Sequence, residues 1–197
     1  GKPWPNEVID KLPFKFQPSE KDKKGILLPW NKLTMLELKN PTFDGPNLSV
    51  NDPELVKLWA ETYRNAAWAT RPKQIMYVNH FFNRFDYGED INVWGVREYW
   101  ATPREFMEKK IGDCKAIAIA KYYALITLGV SMNDMYMVTV NDPTAPKDAY
   151  HLVLVVFDGQ DQYVLDMDPN RGASKNSAYR KYKVFDYFNE AGSWEVK

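Results

Sequence analysis

Between Asp113 and Gly129 the chain reads Asp-Cys-Lys-Ala-Ile-Ala-Ile-Ala-Lys-Tyr-Tyr-Ala-Leu-Ile-Thr-Leu-Gly. Asp113 is a natural helix N-cap, Gly112 permits a tight approach before it, and Gly129 stands where the helix would close. Ala116, Ile117, Ala118, Ile119, Ala120, Tyr122, Ala124, Leu125 and Ile126 leave no coherent polar face, so such a helix belongs in the middle of a domain. Cys114, the only cysteine of the chain, falls at the first helical position. Free N–H groups and the positive end of the helix dipole favour a thiolate at such a place. A lone cysteine is more often a small buried hydrophobe than a catalyst, so Cys114 needs partners before it counts as a nucleophile.

The 197 residues suffice for one sizeable core. Lys plus Arg and Asp plus Glu number 26 each, so charge offers no argument for nucleic acid or an anionic membrane surface. A protein or a small molecule is the expected partner. No apolar run approaches bilayer-spanning length, and the Gly-Lys-Pro-Trp start lacks a signal-peptide pattern. One cysteine cannot form an internal disulfide, so cysteine usage leaves the compartment undecided.

Residues 1–50, broken by Pro3, Pro5, Pro13, Pro18, Pro29, Pro41 and Pro46, read as an irregular arm over the body, with a short strand or helix around 33–38. Residues 51–197 read as a single domain, helical over 51–129 and sheet-forming over 130–197. Asp52 caps a first helix with Pro53 at its first position, ending near residue 70. A second helix is expected over 72–83, and its His80 reads as structural or partly exposed because no second metal-binding residue type accompanies it at helical spacing. Residues 84–100 have the composition of a long aromatic loop. Thr102-Pro-Arg-Glu105 is a capping box opening a short helix over 103–109. After Gly129 the period turns to alternation, with strands expected over 135–140, 151–157, 162–166 and 179–188. Helices first and strands second describe an α+β domain, with the cysteine helix packed on an antiparallel sheet.

Asp158-Gly159 joins two of those strands and favours a type I′ hairpin turn. If Phe157 pairs with Gln160, His151 stands opposite Asp166; a four-residue turn puts His151 opposite Asp168, with Asp166 on the diagonal. Either register leaves an aspartate on the histidine's face. Cys114, His151 and Asp166 then supply a nucleophile, a proton carrier and a carboxylate to hold the ring. Taken separately, His151 can instead bond a loop and Asp166 can cap a strand end.

The segments Val78-Asn-His-Phe-Phe-Asn83, Tyr99-Trp-Ala-Thr-Pro-Arg-Glu-Phe106, Gly112-Asp-Cys-Lys-Ala-Ile-Ala-Ile-Ala-Lys-Tyr122, Leu128-Gly-Val130, His151-Leu-Val-Leu154 and Val164-Leu-Asp166 occur in an order that resembles the bacterial transglutaminase-like cysteine proteases of the LapG type. The resemblance covers about residues 50–170. It implies a papain-like, transglutaminase-like fold, periplasmic residence behind a leader absent from this sequence, and a catalytic triad of Cys114, His151 and Asp166. It further implies an endopeptidase that clips a large surface adhesin and releases cells from a biofilm, with an inner-membrane cyclic di-GMP receptor as regulator.

That family usually reads Gly-Asp-Cys-Glu-Asp, and the acids flanking the cysteine take part in a calcium site. Here only Asp113 is retained, because Lys115 and Ala116 replace the two that follow. An ammonium opposes a cation that wants several oxygen ligands, so poor or absent calcium binding is expected and no cofactor is predicted. The same three residues also suit an acyl transferase (a transglutaminase or amidase), in which an amine rather than water takes the acyl group. A binding module that has lost activity is the third alternative. The Cys114 backbone N–H is one oxyanion donor expected here, and Asn79, Gln74 and Trp94 are the candidates for the second.

Overall fold

The computed structural model describes residues 16–18, 27–141, 150–159, 161–166, 173–175 and 183–196. Its helices are α1 (Leu27–Lys39), α2 (Pro53–Ala66), α3 (Arg71–Phe82), α4 (Asp90–Trp94), α5 (Pro103–Lys109) and α6 (Cys114–Thr127). Its strands are β1 (Phe16–Pro18), β2 (Phe43–Asp44), β3 (Asn47–Leu48), β4 (Asp86–Tyr87), β5 (Ile111–Gly112), β6 (Met135–Asn141), β7 (Tyr150–Asp158), β8 (Asp161–Leu165), β9 (Ala173–Lys175), β10 (Lys183–Asn189) and β11 (Gly192–Val196).

The signals around α6 act as their chemistry requires. Asp113 Oδ1 accepts from the Ala116 N–H at 3.0 Å, satisfying one donor of the first turn. At the other end Gly129 takes φ +97°, the Gly129 N–H donates to the Ile126 carbonyl and the Val130 N–H to the Leu125 carbonyl. That is a Schellman closure, which favours a residue without a Cβ. Gly112 is equally constrained, because a Cβ there would lie 2.6 Å from the Phe106 ring of α5. Along α6 Ile119, Tyr122 and Leu125 are fully buried, as an all-apolar helix demands.

The flanking helices follow local rules too. Asp52 Oδ1 caps α2 through the Leu55 N–H, and Thr102 and Glu105 form a reciprocal capping box at α5. Helix α2 stops at Ala66, short of the expected end near residue 70, and α3 starts at Arg71. Residues 27–39 depart further from expectation, since they form a full helix rather than an irregular path with a short element. Pro29 lies in the first turn, where a missing N–H breaks no helical bond, and Trp30 and Leu33 are core residues. The stretch 84–100 likewise holds β4 and α4, the latter closed by Gly95 at φ +75°.

All pairs of the seven-stranded sheet are antiparallel, in the order β1-β11-β10-β6-β7-β8-β9. Its inner face carries Met135, Met137, Leu152, Leu154, Val156, Leu165 and Phe188 into the same core as α6, which packs on β7. Tyr136, Val138, Val153, Val155 and Tyr187 form a second cluster on the opposite face. The helical half therefore precedes an antiparallel sheet in one α+β arrangement.

The hairpin between β7 and β8 takes the longer of the two registers considered. Phe157 pairs with Gln162 and Asp158 with Asp161, so Asp158 joins the ladder and Gly159, at φ +60°, opens the turn. The slip is two residues, and because strand faces repeat every two, every side chain keeps its side of the sheet. Asp168, which this register would set opposite His151, lies outside the described residues, as do 179–182 of the strand expected over 179–188. Among the described residues no helix is long and apolar enough to cross a membrane.

Candidate active site

The fold brings Cys114, His151 and Asp166 together. Cys114 is the first residue of α6 and half-buried, His151 is the second residue of β7, and Asp166 follows directly on β8. His151 pairs with Val140 across the β6–β7 ladder, and the tight β7–β8 hairpin returns the chain beside it. His151 Nε2 lies 2.6 Å from Asp166 Oδ1, and the two side chains retain only 11 and 15 % of their exposure. The Cys114 side chain is near enough to the same imidazole to act on its protonation. With Nε2 committed to the carboxylate, proton exchange between the ring and a sulfur would run through Nδ1.

Burial by itself pushes the His151 imidazole down, but the hydrogen bond it donates to Asp166, the influence of Cys114 and the negative charge of Asp166 overbalance it and raise its pKa to about 10. At neutral pH the ring is therefore an imidazolium whose Nε2–H donates to Asp166. An imidazolium held against a sulfur is a proton stored where a leaving amine can collect it.

A second charged group flanks the sulfur. While Asp113 Oδ1 caps α6, its Oδ2 is bonded to Lys115 Nζ, which also donates to Asp90 Oδ2 at 2.8 Å. Asp90 Oδ2 accepts the Tyr99 N–H as well, so one ammonium ties the 90–99 segment to the start of α6. Burial opposes the charge on Lys115, yet the two carboxylates hold its pKa above the ordinary lysine value. The ring of Trp100 lies 5.8 Å from Nζ. Among the described residues no group of three or more His, Cys, Asp and Glu side chains is arranged to hold a metal ion.

The remaining expected groups have surroundings of their own. Gln74 Nε2 donates to the Ala66 and Leu128 carbonyls, at the end of α6 opposite the sulfur and about 20 Å along the axis from Cys114. Trp94 stacks on Tyr99 at 4.2 Å under the Lys109 ammonium. Asn79 is buried, with Oδ1 unpartnered among the described residues, on a cavity of about 360 Å³ shared with Ile75, His80 and Tyr163. His80 is exposed. Sequence reasoning passed over Asp90, hidden among aromatic residues as ordinary loop charge, and Lys121, whose Nζ reaches the Asp166 carbonyl at 3.0 Å. A lysine on a helix without a polar face was the signal for the latter.

The family described as bacterial transglutaminase-like cysteine proteinase matches residues 54–195. No curated protein matches the chain. Among solved structures, LapG of Legionella pneumophila is similar at 24 % identity, with a TM-score of 0.60 over 84 % of both chains. The calcium-bound form of LapG has a TM-score of 0.62, covering 84 % of this chain and 86 % of LapG; the EGTA-treated form scores 0.61 over 85 % of both, each again at 24 % identity. That likeness identifies the fold as the transglutaminase-like one of LapG, and the family match runs through both the cysteine helix and the sheet. This chain accordingly belongs to the bacterial transglutaminase-like cysteine proteinases and is a cysteine peptidase.

Proposed function

We propose that the protein is an endopeptidase in which Cys114 is the nucleophile, His151 the proton carrier and Asp166 the group that orients His151. The observation carrying this reading is the chain of contacts from Cys114 to His151 to Asp166, with 2.6 Å between Nε2 and Oδ1. The sulfur attacks the scissile carbonyl carbon, and the Cys114 backbone N–H, free at the first turn of α6, supports the oxyanion. The proton on His151 Nδ1 passes to the leaving amine as the C–N bond breaks, leaving a thioester. Water then attacks that thioester, the ring takes its proton, and the thiolate departs with the proton returned to His151.

Residence in the periplasm, cleavage of a large surface adhesin and restraint by an inner-membrane cyclic di-GMP receptor are proposed on the family resemblance. Calcium is a separate matter. LapG is described in a calcium-bound form; here the residues beside the cysteine do not fit such an ion, because the Lys115 ammonium already lies between Asp113 and Asp90. A divalent cation would have to displace a largely covered, doubly paired charge. We therefore propose catalysis without calcium.

Adhesin-type protein incubated with parent protein and with Cys114→Ala tests the reading. Cleavage by the parent and none by the variant is expected, and equal cleavage by both would sink it. An amine-tagged acceptor in the same assay separates hydrolysis from acyl transfer by product mass.

A further inference from the structure

Lys121 is 4 % exposed, on the helix that carries the nucleophile. It follows Cys114 by seven residues, two turns along the same face. Helical side chains lean toward the N-terminus, so the stem runs back toward the sulfur's end of α6. Its Nζ donates to the main-chain carbonyl of Asp166 at 3.0 Å.

Asp166 directly follows Leu165, the residue that ends the described pairing with Leu154 on one side and Ala173 on the other. The carbonyl taken by Lys121 is therefore the first one past the described pairing of both ladders. The carboxylate of the same residue grips His151. Asp166 is thus pinned twice, through its main chain by α6 and through its side chain by the imidazole. Holding an ammonium so deep is costlier than packing a methionine of similar length. Burial drags the Lys121 pKa down to about 8 against the pull of the Asp166 charge.

We infer that Lys121 is a positioning residue: its ammonium fixes the main chain at Asp166 and so holds the carboxylate where it keeps His151 turned toward Cys114. The inference rests on the Cys114–His151–Asp166 reading, and it adds a residue on the nucleophile helix that sets the acid's place. The helix would then locate both ends of the relay, the sulfur directly and the carboxylate through Lys121.

The test uses the full chain and iodoacetamide, with intact mass as readout, because Cys114 is the only thiol. Lys121→Met keeps the stem and removes the ammonium. It should melt close to the parent yet alkylate several-fold and up to roughly tenfold more slowly at pH 7.5, the effect of losing one charge-assisted hydrogen bond from the relay. The low-field ring proton that marks the His151–Asp166 bond should shift in its NMR spectrum. A folded Lys121→Met protein with parent alkylation and an unmoved ring proton overturns the inference. Should that variant fail to fold, the parent decides: a slowly exchanging Lys121 ammonium signal correlated across its hydrogen bond to the Asp166 carbonyl carbon is expected, and its absence overturns the inference. Asp166→Asn separates the two levels. If it slows alkylation while Lys121→Met does not, only the role of Lys121 falls; if neither does, the underlying relay falls as well.

Discussion

Replacing Asp166 by asparagine removes a charge from the site while keeping its shape. In the parent, His151 holds its proton up to about pH 10, against the 6.5 of an ordinary imidazole. The substitution deletes the carboxylate hydrogen bond and its charge, leaving burial, which lowers the pKa, opposed by Cys114. The ring then falls back toward 6.5. At pH 7.5 a ring at 10 is protonated in essentially every molecule, whereas a ring at 6.5 is protonated in about one of eleven, so the population effect alone is roughly tenfold. The asparagine amide adds a second loss, because its N–H can donate to Nε2 and so place the hydrogen of a neutral ring on Nδ1, the nitrogen that must accept the thiol proton. Together these should lower kcat/KM for peptide cleavage by roughly 10² to 10⁴ with little change in KM. Iodoacetamide alkylation followed from pH 5 to 9 isolates the first effect without a substrate: at pH 7.5 Asp166→Asn should react about tenfold more slowly than the parent, and the two rates should converge toward pH 6, where a ring at 6.5 is again mostly protonated. Equal alkylation of the two proteins across that range would refute the account of how His151 is charged.

Because its folded pKa lies above 6.5, the His151 charge contributes stability that is full below pH 6.5, declines as the pH climbs and is gone above about 10. The parent should therefore lose more thermal stability than Asp166→Asn between pH 7 and 10 in a melting series, and parallel curves would contradict that. Lys115→Ala leaves the buried Asp90 and the half-buried Asp113 without their shared cation, and should cost about 3 kcal/mol in a urea titration. Added calcium or EGTA should leave the parent's melting temperature and alkylation rate unchanged, whereas a chelator-sensitive parent would overturn the fit described for Lys115. Gly112→Ala forces a methyl group into the Phe106 ring and should destabilise by about 1–3 kcal/mol, read by denaturant unfolding.

Much of this protein is written in short stretches of its chain. Asp113, Gly112 and Gly129 specify α6 because capping, close approach and left-handed closure are local matters. The capping box at Thr102 and the alternation after Gly129 are local in the same sense, and they carried the α+β class. Proline misled at residues 27–39, since whether Pro29 breaks a helix depends on which turn it occupies, and that is fixed by the burial of Trp30 and Leu33 against the rest of the core.

The site divides along the same line. That an acid would share the face of His151 followed from the two-residue period of a strand, whichever turn was taken. Which register forms, and that it brings Nε2 within 2.6 Å of Asp166, was decided by the packed sheet. Lys115 was visible as a departure beside the cysteine, but its partner Asp90 is 25 residues away, and ion pairs across that separation leave no trace in local pattern. Lys121 and Asp166 stand 45 residues apart. The sequence by itself determined a buried helix with a sulfur at its tip and a hairpin bearing a histidine and an acid; only the tertiary structure decided what surrounds them, because desolvation and charge pairing act through space rather than along the chain.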